Sequence, residues 1–173
     1  PTISGSHRMT DALVPAEHEW RFDSSELERV MLPSVVVDNI ERWLSSSSSS
    51  TRDFLCTAAI IGAPFTISAL ASVAEATEAL ANAALREAAR ANIVEAIGDG
   101  TWKFVHDRAH QAFLERVGSD RAREIHERVA DYLYSTAAPF AADVFAVARH
   151  YGLGTRSRPE RALDANVRAG ALA

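Results

Sequence analysis

The spacing of apolar residues changes once along this chain, between residues 93 and 104, and that change constrains the fold more than any other feature. A period of two residues runs through Ile93, Glu95 and Ile97 and again through Trp102 and Phe104. The Gly-Asp-Gly segment between these runs tolerates the positive φ angles of a tight turn. The pattern therefore predicts a β-hairpin with about five residues in each strand.

Helical patterns surround the hairpin on both sides. Before it, helices are predicted at Thr51–Ile61, Thr66–Val73 and Thr77–Ala91, the last with Leu80, Ala84, Leu85 and Ala88 facing inward and Arg86, Glu87 and Arg90 mostly outward. After it, helices are predicted at 107–117, at 120–134, within PFAADVFAVARHY and from Pro159 onward. The predicted fold is mainly α: a winged-helix-like helical bundle with one β-hairpin wing, followed by further helices.

The domain organisation follows from these patterns. Residues 1–9 look like a vector-encoded remnant, which suggests a fragment cut from a longer protein. Residues 10–50 are expected to be a lead-in with a strand at Glu19–Phe22, a helix begun by a capping box at Asp23 and Glu26, a helix from about Ser34 to Leu44, and a serine run. The winged-helix-like domain is expected at 51–117, and the helices at 118–173 could begin a helical-repeat array.

The serine run at residues 45–50 is interpreted as a flexible connection between helices, with a phosphorylated linker as the alternative. The single cysteine, Cys56, excludes an internal disulfide and is expected to be a small core side chain in a reducing compartment, the cytoplasm. No apolar run approaches the ~18 residues of a membrane span, so no membrane partner is expected.

The charged residues exclude a P-loop and disfavour nucleic-acid binding. Lys103 is the only lysine and lies in GTWKF, whereas a P-loop needs Gly-Lys-Ser/Thr to reach nucleotide phosphates. No catalytic triad, paired-carboxylate site or reactive cysteine is evident, so no enzymatic activity is expected of this chain.

The net charge of −5 disfavours nucleic-acid binding. The third predicted helix also carries Glu78 and Glu87 beside its arginines, whereas contact with phosphates needs a basic face.

The segment HDRAH allows several interpretations. His106 and His110 have the spacing of zinc-protease histidines, but Asp107 replaces the usual glutamate and no third ligand is evident, so no metal site is expected. Asp107 could be only a helix N-cap, and His106 could be a hydrogen-bonded core histidine. His126 and His150 lie on predicted amphipathic helices, where packing or surface roles are expected.

Several segments together resemble a known family. The region directly after the P-loop core of STAND-class, AAA-like signalling ATPases is similar to LPSVVVDNIERWL, FLCTAAIIGAPFTISALASV, ALREAARANIVEAI, WKFVHDRAHQAFLERV, RAREIHERVADYL and FAVARHY. The likeness covers roughly residues 19–173. It is greatest to modules of large multidomain proteins that join a serine/threonine kinase domain, the ATPase, helical repeats and a sensor histidine kinase.

The resemblance implies a role for two residues. Val105-His106-Asp107 occupies the place of a Met-His-Asp motif whose histidine approaches the β-phosphate of ADP and locks the closed state; here valine replaces methionine. His106 and Asp107 would sense nucleotide, with Asp107 capping the helix that follows. ATP or ADP would be the cofactor of the longer protein, with none in this chain, and its ATPase core and downstream repeat or output domains would be the partners. A DNA-binding winged helix and a helical adaptor without a nucleotide role remain the alternatives.

Overall fold

A computed structural model of the chain describes residues 13–16, 19–22, 34–136 and 141–172, with side chains described for 40–136 and 144–172. The chain divides into two compact units, Pro1–Glu41 and Arg42–Ala173. In the first, strands β1 (Leu13–Ala16) and β2 (Glu19–Phe22) pair antiparallel, with Leu13 opposite Phe22. This confirms the predicted strand at Glu19–Phe22, whereas the predicted capping box at Asp23 and Glu26 lies outside the described residues.

Helix α1 (Ser34–Ser46) begins in the first unit and ends in the second. The elements that follow are α2 (Ser49–Ile61), β3 (Phe65–Thr66), α3 (Ile67–Val73), α4 (Glu78–Arg90), β4 (Val94–Gly98), β5 (Thr101–Phe104), α5 (Asp107–Arg116), α6 (Ser119–Thr136), α7 (Ala141–Leu153) and α8 (Pro159–Ala171). The fold is mainly α with one small antiparallel sheet in the second unit, which confirms the predicted class. Among the described residues, none of the helices has both the length and the apolar character of a membrane span.

The sheet forms the wing. Its strand order is β3-β5-β4, and the sequence of elements from α2 to β5 is that of a winged helix. The predicted hairpin pairs Val94 with Phe104 and turns at Asp99 and Gly100, whose φ angles are 49° and 70°. Strand β3, which pairs Phe65 with Trp102, was not predicted, because two residues are too few to show a period.

Local capping signals place two helix starts as predicted. The Thr66 hydroxyl accepts the backbone N–H of Ala69, and the Thr77 hydroxyl accepts that of Leu80. The predicted inward face of α4 is correct for Ala84, Leu85 and Ala88 but wrong for Leu80, which is 58% exposed. The buried stripe runs through Ala81 instead, and Leu80 lies at its edge.

The serine run does not form a flexible connection, and that prediction is wrong. Helix α1 continues to Ser46 and α2 begins at Ser49, so only Ser47 and Ser48 separate them. The Ser48 hydroxyl accepts the backbone N–H of Thr51 at 3.0 Å as the N-cap of α2. Serine is a favoured N-cap because its oxygen satisfies an unpaired first-turn amide, which explains why the run ends one helix and begins the next.

Helix α2 forms the centre of the second unit. It packs against α3, α4, α5 and α6, and buries Phe54, Leu55 and the alanines at 58 and 59. Phe104 of β5 is buried as predicted, with its ring centroid 5.9 Å from that of Phe113 on α5. Helix α6 then packs on α7, and α7 on α8, which begins at Pro159 as predicted.

A matched pair of leucines on α4 tests this core. Leu85 is fully buried, so Leu85→Ala should lower the free energy of unfolding by about 3 kcal/mol through lost contacts and the cavity that remains. Leu80→Ala should change it by no more than about 0.5 kcal/mol, because that side chain is exposed. Urea denaturation measures both values, and similar losses for the two variants would contradict the placement of α4.

Candidate functional site

The junction between β5 and α5 carries the residue that the sequence singled out. His106 follows the last residues of β5 and occupies the N-cap position of α5, with an extended backbone at φ −131° and ψ 138°. Its carbonyl oxygen accepts the N–H groups of Ala109 at 2.9 Å and His110 at 3.2 Å. The backbone on its other side is also fixed, because the N–H of Val105 donates to the carbonyl of Ile93 at 3.0 Å.

The His106 side chain is half-buried at this fixed position. It makes no capping hydrogen bond to α5. Within the described part of the chain, its imidazole has no hydrogen bond, ion pair or ring contact. The backbone therefore fixes the position of the ring just after β5, and none of the described residues bonds to its nitrogen atoms.

Asp107 does not cap the helix, and that prediction is wrong. The extended backbone that an N-cap needs is at His106, so Asp107 is already the first helical residue. From that position its carboxylate makes no capping bond to the first-turn amides. The side chain is exposed, and its negative charge still interacts favourably with the positive end of the helix dipole.

His110, rather than His106, is the hydrogen-bonded core histidine. Its Nε2 lies 2.8 Å from the carbonyl oxygen of Ala59 on α2, to which it donates when that nitrogen is protonated. Its ring stacks on Phe104, with centroids 5.1 Å apart. His110 thus joins α5 to both α2 and β5. Among the described residues, no group of three or more histidine, cysteine, aspartate or glutamate side chains could hold a metal ion.

Cys56 has the environment of a structural thiol. Its Sγ lies 3.7 Å from the carbonyl oxygen of Phe113, and the residue is half-buried. Burial, with a smaller contribution from Asp53, raises the pKa of the thiol. A raised pKa keeps the less nucleophilic thiol form at neutral pH, so the chemistry of Cys56 favours packing over catalysis.

The exposed side of α4 is the surface that a DNA-binding winged helix would use. Its charged residues are Glu78, Arg86, Glu87 and Arg90, two of each sign. Glu87, predicted to point mostly outward, is half-buried and accepts a hydrogen bond from the Thr51 hydroxyl at 2.7 Å. A helix whose charges sum to zero lacks the basic face that phosphate contact needs.

Two carboxylates of α6, one buried and one half-buried, connect the last three helices. Glu127 on α6 is 6% exposed and accepts the backbone N–H of Thr155 and the hydroxyl of Ser157, each at 2.6 Å, as well as the Thr155 hydroxyl. Burial alone would raise the pKa of Glu127, but the hydrogen bonds from Ser157 and Thr155 outweigh it and leave the pKa lowered. The segment between α7 and α8 is thereby fixed on α6.

A second carboxylate, Asp131, lies one helical turn further along α6. It accepts the Tyr151 hydroxyl of α7 at 2.8 Å and forms ion pairs with Arg158 at 2.9 Å and Arg161 at 2.8 Å. Burial and the hydrogen bond to Asp131 raise the pKa of Tyr151 to about 12. These contacts could not be predicted from local sequence patterns, because the partners are 20 or more residues apart.

Comparison of the chain with protein-family models, with curated proteins and with solved structures finds no match in any of the three.

The two histidines of HDRAH should differ in their effect on stability. His110→Ala should lower the free energy of unfolding by about 2 kcal/mol, because it removes a hydrogen bond and a ring contact and leaves the Ala59 carbonyl unpaired. His106→Ala should change it by no more than about 0.5 kcal/mol. The measurement is urea denaturation at pH 7.5. Equal losses would mean that His106 is also a packing residue.

Glu127→Gln should lower the free energy of unfolding by about 2 kcal/mol at neutral pH, since hydrogen bonds to a charged acceptor are lost or weakened. A lowered carboxyl pKa contributes stability above the usual value of 4.5, and that contribution is lost as pH falls through the folded-state pKa. The difference between wild type and variant should therefore shrink below pH 4.5. Denaturation curves from pH 7 to pH 3 measure it, and a constant difference would contradict this account.

Proposed function

We propose that this chain is a non-catalytic regulatory region of a cytoplasmic, STAND-type signalling ATPase. In this proposal it packs on the nucleotide-binding core and relays the nucleotide state to downstream domains. His106 is the residue that senses the nucleotide. The observation that carries the proposal is the half-buried imidazole of His106, which lies on a fixed backbone and has no partner among the described residues.

The chemistry of His106 suits a phosphate ligand. A neutral imidazole donates one hydrogen bond and a protonated one donates two, and phosphate oxygens are strong acceptors. A ligand-binding side chain is most effective when its support is rigid. Here the hydrogen bond from Val105 to Ile93 and the bond of His110 to Ala59 provide that support on either side. Asp107 is adjacent and adds a negative charge, without the capping role first expected of it.

The packing offers a route from His106 to the C-terminal helices. His110 bonds to α2, and Ile60 of α2 packs in one buried cluster with Ile125 and Val129 of α6. Helix α6 in turn contacts α7 through Ala130 and Val147. A displacement at the β5–α5 junction could therefore be transmitted through α2 and α6 to α7, because these helices pack on one another, and this supports a relay role.

A helical adaptor is the second candidate. Leu163 and Val167 lie one turn apart on α8 and are 65% and 63% exposed. Exposed apolar side chains at helical spacing are typical of surfaces that contact another protein. A DNA-binding role is less well supported, because the charges of α4 sum to zero.

The test is the rate of ADP release from the longer protein that this proposal requires. His106→Ala should speed ADP release about tenfold, within the range of ordinary coupling energies, because the closed state loses a contact that it alone makes. Gln111→Ala, a change on the exposed side of α5, is the matched control and should leave the rate unchanged. An unaltered rate in the His106 variant, or a longer protein without a P-loop, would exclude the nucleotide role and leave the adaptor.

A further inference from the structure

A pair of histidines joins α6 to α7, apart from the site described above. Nδ1 of His126 lies 2.8 Å from Nδ1 of His150, and the ring centroids are 5.0 Å apart, so the two nitrogen atoms face each other. His150 is 5% exposed and His126 is half-buried. An N···N hydrogen bond needs one nitrogen to donate and the other to accept. This contact therefore exists only while the two facing nitrogens share a single proton.

Every charged side chain of α6 has a partner other than the two histidines. Within α6, Asp120 pairs with Arg123 and Arg121 with Glu124. Arg128 pairs with Glu75, Glu127 accepts hydrogen bonds from Thr155 and Ser157, and Asp131 binds Tyr151, Arg158 and Arg161. On α8, Asp164 pairs with Arg168. The charged side chain that acts on both rings is Arg149 of α7. Its positive charge opposes protonation, and none of the described carboxylates offsets it.

The folded state therefore favours the neutral form of both rings at neutral pH. Burial, followed by the effect of Arg149, lowers the pKa of His126. Burial, followed by the effects of His126 and Arg149, lowers the pKa of His150 from 6.5 to about 4. A histidine released from this contact would regain an ordinary pKa and bind a proton below pH 6.5. The contact is thus fully stable at neutral pH and loses stability as pH falls from 6.5 toward 4.

We propose that His126 and His150 form a proton-sensitive latch, which holds α7 on α6 at neutral pH and releases it on acidification. A first proton can bind at the outward Nε2 of the donor ring and leaves the shared proton between the two Nδ1 atoms in place. A second proton puts two donors and two positive charges face to face, so the doubly protonated pair separates. The buried cluster of Ala130, Val147 and Tyr151, which lies on the same interface, then opens to water. Release of α7 would leave α2 and the wing in place, since their main packing partners are one another and helices α3 to α6, not α7.

Hydrogen exchange of the whole chain in EDTA tests the latch. After correction for intrinsic exchange rates, the equilibrium constant for opening of α7 should rise about tenfold from pH 7.5 to pH 5. This rise is smaller than the one that the full shift of the His150 pKa would produce, because water screens the charge on the side of His126. Exchange in α2 should change little. His150→Phe should remove most of the response of α7, and Gln111→Ala, a change on the exposed side of α5, should keep it.

His126→Gln, at the more exposed partner, replaces His150→Phe if that variant does not fold. It should reduce the response without abolishing it, because His150 keeps the burial that is the main cause of its lowered pKa. NMR titration of the ring nitrogens gives an independent measure, with both pKa values expected below 6.5. Ordinary pKa values for the two rings, equal protection of α7 at both pH values, or an undiminished response in the latch variants would overturn the proposal. Loss of α7 protection on addition of EDTA at neutral pH would also overturn it, because the pair would then be a metal site.

Discussion

The burial of α2 on almost every side is the constraint on which the second unit depends. A helix can contact four others only if its surface is apolar and contains small residues, and α2 meets this requirement with Phe54, Leu55 and its paired alanines. The β5–α5 junction is tied to the same helix through the bond of His110 to Ala59. The wing, the proposed sensing residue and the C-terminal helices therefore share one rigid reference element.

Features of the fold with a local cause could be predicted from the sequence. The hairpin was visible in the change of period, the starts of α3 and α4 in their threonine caps, and the start of α8 in Pro159. Features decided by packing could not. The serine run looks like a linker in composition, yet Ser48 supplies a helix cap. The second unit also contains β3, which exists only because β5 lies beside it.

The candidate site divides in the same way. The position of His106 at a strand end followed from local pattern, and the structure places it there. Residue spacing does not reveal which of the two histidines reaches α2, because that depends on a distant carbonyl, that of Ala59. It also does not reveal whether Asp107 or His106 is the cap residue, because that depends on the backbone angles at His106. The partners of Glu127, Asp131 and His126 lie on other helices, so chain pattern alone could not identify them.

The hydrogen bonds from the α7–α8 segment to Glu127 constrain the length of that segment as well as its position. Thr155 and Ser157 reach one carboxylate from alternate positions, and a β-carbon at Gly154 would come within 3.1 Å of Oε2 of that carboxylate. An inserted or deleted residue between Gly154 and Pro159 would misalign these donors. The length of this segment is therefore as much a requirement of the fold as the identity of its side chains.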